Sequence, residues 1–130
     1  MAGNADVLKK GYEDFSKGDI ESALEPWPDD FVWDGGETDL PGGGVHEGKD
    51  EARQTLEKAV GAWDKFQLTV DEIHEGDNDT VFALGHTEVS KDGNDATLPV
   101  VHVWRFEGGQ PKRIQILTDT YTSAKLLGKA

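Results

Sequence analysis

The sequence predicts an α+β domain in which helices pack on one face of a curved antiparallel sheet. Two observations carry this. Apolar residues recur at helical spacing in the first half of the chain. In the second half they alternate with period two, between turns rich in Asp, Asn and Gly. At 130 residues one domain over 1–130 is expected, since about 100–200 residues per domain is usual.

Each element has its own warrant. Val7, Leu8, Gly11, Tyr12 and Phe15 share one helical face and predict a helix over 4–17, capped by Asn4 and ended by Gly18. Asp19 caps a short helix over 20–24, stopped by Pro26 and Pro28. Residues 31–34, Phe-Val-Trp-Asp, make a short strand. Residues 35–44 hold five glycines and one proline and form a loop able to lie close to a ligand. A third helix over 50–62 buries Ala52, Leu56, Ala59 and Val60 and leads into Trp63. Strands follow over 66–74, 81–90, 97–106 and 112–119, and a helical turn over 123–127 closes the chain.

Composition excludes several classes of partner. Against 13 basic residues stand 26 acidic ones, a net charge of −13. That charge repels phosphate backbones and anionic lipid, so neither nucleic acid nor membrane is expected as a partner. The acids are scattered and read as a solubilising surface. No apolar run approaches the roughly 20 residues that span a bilayer, and the N-terminus lacks the pattern of a leader peptide. There is no cysteine, and a cytoplasmic protein is expected.

The strand over 97–106 is where chemistry concentrates. Leu98, Val100, His102, Trp104 and Phe106 share one face, apolar except for one imidazole. A turn near 91–95, symmetric about its centre, places Val100 opposite His86. Phe82, Leu84, His86 and Glu88 then join the His102 face. On that reading His86 and His102 edge a cavity floored by Phe82, Trp104 and Phe106, with Tyr12 and Trp33 as further candidate walls. Asp119 follows Ile114, Ile116 and Leu117 on a strand expected to be buried, and desolvation there would raise its pKa toward that of a working general base; the alternative is that it faces out in a structural role, capping the final turn. Simple pairing puts Asp119 beside Pro99, roughly 10 Å along the strands from His102, so the two flank a substrate without touching. A metal set of His86, His102 and Glu88 or Asp119 is the rival reading, but no H-x-H or HExxH pattern supports it. Gly42-Gly43-Gly44 lacks the Lys-Ser/Thr of a phosphate loop. No metal and no other cofactor are expected.

An ordered set of segments resembles a known family. These are residues 12–19 (Tyr-Glu-Asp-Phe-Ser-Lys-Gly-Asp), 28–33 (Pro-Asp-Asp-Phe-Val-Trp), 45–52 (Val-His-Glu-Gly-Lys-Asp-Glu-Ala), 101–106 (Val-His-Val-Trp-Arg-Phe) and Asp119-Thr120. Together they resemble the nuclear-transport-factor-2-like superfamily, and within it the SnoaL-like group related to ketosteroid isomerases. The resemblance implies a cone, with a strongly curved antiparallel sheet wrapped around N-terminal helices and an apolar cavity at the open end. In SnoaL-like cyclases an aspartate ending the last strand is the acid–base group, assisted by a histidine on the preceding strand. The resemblance gives those roles to Asp119 and His102.

Departures narrow the chemistry. Gly35 stands where ketosteroid isomerases carry their base, with Asp34 one residue early; their oxyanion-hole tyrosine aligns with Gly11, and His102 replaces their second acid. Arg105-Phe106-Glu107 does not supply the Arg-x-Asp of limonene-type epoxide hydrolases. The expected function is therefore SnoaL-like binding of a small apolar molecule, with cofactor-independent isomerase or cyclase chemistry by proton transfer on a carbonyl or cyclic substrate. The alternative is a non-catalytic ligand-binding or dimerisation module. A homodimer is expected through the outer sheet face carrying Thr97, Val101, Val103 and Arg105.

Overall fold

The computed structural model describes residues 3–129. Helix α1 (Asn4–Ser16) is capped at Gly3, whose N–H meets the Asp6 carboxylate at 3.3 Å. Helix α2 (Ile20–Leu24) starts at Asp19, which accepts the Ser22 N–H at 3.1 Å. Strands β1 (Val32–Asp34) and β2 (Val45–Glu47) precede helix α3 (Lys49–Gly61). Strands β3 (Lys65–Glu75), β4 (Thr80–Lys91), β5 (Asn94–Glu107) and β6 (Gln110–Thr118) then run to helix α4 (Thr120–Leu126). The expected elements are all present, and β2 is an addition too short to leave a periodic signal.

Among the described residues the strands form one six-stranded sheet in the order β2-β1-β6-β5-β4-β3. It is mixed, because β1 runs parallel to β6 with Trp33 opposite Ile114, while the other pairs are antiparallel. It is also open, with β2 and β3 as its edges. This corrects the expected cone: the sheet is neither purely antiparallel nor strongly curled into closure around the helices. The parallel pairing joins residues as distant as Val32 and Arg113, and such a contact leaves no local mark in a sequence.

A tight turn decides which side chains face inward. Asp92 and Gly93 have φ of 51° and 84°, and Lys91 pairs directly with Asn94. This is the two-residue Asp-Gly hairpin of type I′, whose positive φ angles suit the strand twist. Its centre lies half a residue before that of a turn symmetric about 93, which shifts the pairing by one. Val100 therefore meets Gly85, His102 meets Ala83 and Trp104 meets Val81. A shift of one exchanges the two faces of a strand. Val81, Ala83, Thr87 and Val89 are buried against the helices, whereas Phe82 is on the outer face and 36% exposed.

The core joins α1, α2 and α3 to the sheet through Leu8, Leu24, Trp27, Phe31, Trp33, Ala52, Val81, Trp104 and Ile114. Trp27 stacks on Phe31 at 4.0 Å, and both approach the Trp104 ring, at 6.2 and 6.1 Å. The loop 35–44 links β1 to β2 and folds back over this core. Its backbone bonds to itself, Gly35 N–H to Gly44 O at 2.9 Å and Gly44 N–H to Gly36 O at 2.8 Å. The Trp33 indole N–H holds it down at Gly42 O, 2.7 Å away. Gly35 has no room for a side chain, since a Cβ there would lie 1.8 Å from Gly42 O.

Gly35→Ala is therefore expected to destabilise the fold by about 1–3 kcal/mol, because the clash is with backbone and cannot relax by rotamer change. Gly61→Ala meets nothing within 4 Å and is expected to be neutral or to stabilise by up to about 1 kcal/mol through helix propensity. Urea midpoints of the two variants measure the contrast.

Candidate ligand cavity

The helices and the inner sheet face enclose a cavity of about 200 Å³. Tyr12 and Phe15 of α1 line one side, Leu56 and Val60 of α3 another, and Leu98, Val100, His102 and Trp104 of β5 form the floor. Leu40, Pro41 and Gly42 of the loop 35–44 close one end, with Trp33 beneath them. Thr118, Thr120, Ser123 and Leu127 contribute from the C-terminal end. Among the described residues no Asp, Glu, Lys or Arg lines this space. Its ionisable groups are the His102 imidazole and the Tyr12 phenol.

These two groups touch. The Tyr12 hydroxyl lies 2.6 Å from His102 Nδ1 and accepts the Trp104 indole N–H at 2.9 Å. The rings support the contact, Tyr12 lying nearly parallel to His102 at 5.8 Å and edge-on to Trp104 at 6.2 Å. Burial sets both titrations. It pushes the His102 imidazole down to about 4, so the ring is neutral at neutral pH. It holds the Tyr12 hydroxyl well above its ordinary value, with the Trp104 N–H pulling weakly the other way.

The candidate residues divide accordingly. Tyr12, Trp33, His102 and Trp104 come together around the cavity. Phe106 is buried in the adjoining core, beyond the register shift between Arg105 and Phe106, and does not line the cavity. Phe82 and His86 are corrected to the outer face by the Asp92-Gly93 turn. There His86 Nδ1 meets Asp71 at 3.3 Å. With His86 and His102 on opposite faces, the metal set built on both is not assembled. Among the described residues no group of three or more His, Cys, Asp or Glu could hold a metal ion.

Asp119 follows the end of β6, where Thr118 pairs with Val100, and it is not among the described residues that line the cavity. Asp119 instead caps α4, taking the Thr122 N–H at 3.0 Å and the Thr122 hydroxyl at 2.7 Å. Those bonds, the backbone one first, hold its carboxyl below the ordinary value instead of raising it. The sequence reading missed the Tyr12–His102 contact and the rim hydroxyls of Thr118, Thr120 and Ser123. The first joins residues far apart in the chain, and the Asp-Thr-x-Thr cap at 119–122 was the available signal for the second.

An open α+β sheet packed under helices around an apolar cavity is the architecture of the nuclear-transport-factor-2-like class. Residues 8–114 match the SnoaL-like domain, and the chain belongs to that family. Solved structures of similar fold include TerC co-crystallised with polyporic acid, 26% identical with a TM-score of 0.87 over 98% of this chain and 99% of that one. Another is a nuclear-transport-factor-2-like protein of unknown function from Burkholderia pseudomallei, 28% identical with a TM-score of 0.87 over 98% of each chain. A similar protein from Burkholderia thailandensis, 21% identical with a TM-score of 0.87 over 98% of each chain, shares the fold. No curated protein is significantly similar to the chain. Among the described residues no helix is long and apolar enough to cross a membrane.

Acid should act on His102. The ring titrates near 4 when folded against an ordinary 6.5, so as pH falls the unfolded chain takes the proton first. Stability present above about pH 6.5 is then lost progressively toward pH 4, by about 3 kcal/mol in all. In His102→Gln that part of the acid sensitivity is expected to vanish. Urea unfolding of both proteins at neutral pH and near pH 4.5 measures it, and parallel losses would show that His102 burial does not set the response.

Proposed function

We propose that this protein binds a small, flat, mostly apolar molecule bearing one polar oxygen, which His102 anchors by hydrogen bond. The observation that carries the reading is the buried imidazole set in a cavity lined mostly by apolar and aromatic groups, with a few threonine and serine hydroxyls and no charged side chain among the described residues. Such a site gains affinity from excluded water and orientation from its few polar atoms. TerC, a relative 26% identical, was co-crystallised with polyporic acid, which supports a small organic ligand.

The isomerase or cyclase reading is narrowed by the same geometry. Proton abstraction beside a carbonyl needs a base whose pKa lies near the working pH. Asp119 is engaged in capping α4 and is not among the described residues lining the cavity, and His102, held near 4, is a weak base. Binding and orientation are therefore the favoured activity, and any catalysis would act by polarising the ligand oxygen from His102.

Tryptophan fluorescence titration with 2-acetylnaphthalene tests this, since Trp33 and Trp104 line the cavity. His102→Leu is expected to weaken binding about tenfold, equivalent to one hydrogen bond of about 1.4 kcal/mol, and Asp119→Asn to leave it unchanged. Deuterium uptake into the acetyl group in D₂O should stay at the buffer rate. Acceleration by the protein, lost in Asp119→Asn, would overturn the binding reading in favour of acid–base catalysis.

A homodimer is the second part of the proposal. Leu84, Val101 and Leu117 lie side by side across β4, β5 and β6 on the outer face, next to Phe82 and Val103, and Leu117 is 49% exposed. Arg105 and Arg113, the latter ion-paired with Asp34, stand on one side of this apolar row, and Glu88 stands on the other. A two-fold axis through the row lays the basic side of one copy over the acidic side of its partner. Sedimentation should therefore report a dimer that Leu117→Glu converts to a monomer with its ligand affinity intact.

A further inference from the structure

We propose that the Trp104–Tyr12–His102 chain runs in a single direction and fixes His102 as its Nε2–H tautomer. The polar point of the cavity is then an uncharged donor that selects ligands whose oxygen accepts, such as aryl ketones and quinones. This rests on the ligand-cavity reading above and adds the sign of the polar contact.

The direction follows from counting protons. An indole nitrogen only donates, so Trp104 Nε1 gives its hydrogen to the Tyr12 hydroxyl at 2.9 Å. The hydroxyl has one hydrogen of its own, and its other neighbour is His102 Nδ1 at 2.6 Å. If Nδ1 carried a hydrogen, the Tyr12 oxygen would accept twice and its own hydrogen would have no acceptor among the described residues. Leaving a buried donor unsatisfied costs about 1–3 kcal/mol. Tyr12 therefore donates to a bare Nδ1, and the neutral ring carries its hydrogen on Nε2.

That nitrogen faces the ligand space. His102 is 91% buried by its 9% exposure and lines the cavity, and its Nε2 makes no hydrogen bond to the described residues. Among them no side-chain N or O sealed from solvent lacks a partner, so the unpaired Nε2 retains accessible surface, and the cavity supplies it. The donor meets no competing charge, because no acidic or basic side chain among the described residues shares the lining. A carbonyl oxygen satisfies it, an apolar group leaves it unsatisfied, and a carboxylate finds only a neutral dipole against its large desolvation cost. Tyr12 is thus a positioning residue, acting on the ligand through the hydrogen it gives His102.

The tautomer can be read without any ligand. Long-range ¹H–¹⁵N correlation spectra of the labelled protein at neutral pH should show His102 with hydrogen on Nε2 and a bare Nδ1. Hydrogen on Nδ1 would overturn the proposal. Tyr12→Phe should shift the ring toward mixed tautomers, and an unchanged Nε2–H spectrum in that variant would refute the role given to Tyr12. If Tyr12→Phe does not fold, the wild-type spectrum still decides the tautomer. Selectivity is read on an isosteric set in wild type and in His102→Leu. Wild type should bind 2-acetylnaphthalene at least tenfold tighter than 2-isopropenylnaphthalene, with 2-naphthoate weaker still, and His102→Leu should abolish the first preference. Equal affinity for the isosteres, or preference for the carboxylate, would overturn the selection. If the spectrum shows Nε2–H but none of the three compounds binds, the ligand-cavity reading has failed while the tautomer stands.

Discussion

The Tyr12 hydroxyl sits between the helical layer and the sheet, and the geometry of the cavity depends on it. The apolar contacts of α1, through residues such as Leu8 and Phe15, have no direction, and a small slide of the helix would preserve most of their burial. A hydroxyl held at 2.9 Å from Trp104 Nε1 and 2.6 Å from His102 Nδ1 tolerates no such slide. Displacing it would strand polar groups that water cannot readily reach. Trp104 extends the constraint, because the same indole packs against Trp27 and Phe31. The position of α1, the orientation of His102 and the aromatic floor are set together.

The openness of the sheet passes part of the enclosure to other elements. A sheet with free edges at β2 and β3 cannot surround a ligand alone. The loop 35–44 and α3 supply the missing wall, and the Trp33 indole ties that loop to β1. Glycine is what lets the backbone come so close: Gly42 faces Ala59 of α3 with no room for a Cβ of its own, which would lie 2.8 Å away. The cavity thus depends on backbone fit at one end and on side-chain hydrogen bonding at the other.

The stability contrast between Gly35→Ala and Gly61→Ala depends on contacts that only the folded chain reveals, and the same division runs through the rest of the molecule. Helical spacing around Tyr12 and alternation through Leu98, Val100, His102 and Trp104 were legible, because both are periodic and local. Tyr12 on the first pattern and His102 and Trp104 on the second all line the cavity, as does Trp33 of the short strand β1. Phe82 and His86 went to the wrong face through a half-residue error in one turn, although Asp92-Gly93 is a strong two-residue hairpin signal. Asp119 was misplaced because its surroundings were inferred from the strand before it. The Thr122 that it caps was the better guide. The parallel pairing of β1 with β6, and with it the open sheet, was beyond any local pattern. So was the contact of Tyr12 with His102.

Surface and cavity filter ligands by the same physical rule. A net charge of −13 disfavours the approach of anions over distances of a Debye length, about 8 Å at physiological ionic strength. Inside, a neutral imidazole among apolar walls gives an anion little to replace its lost hydration. A positively charged histidine would have reversed the inner filter, and burial prevents that by holding the ring near 4. The same burial deprives the site of a strong base. On the proposed reading such a cavity would hold neutral molecules by one oriented oxygen. The chemistry it can assist is limited to what a fixed hydrogen bond to that oxygen can promote.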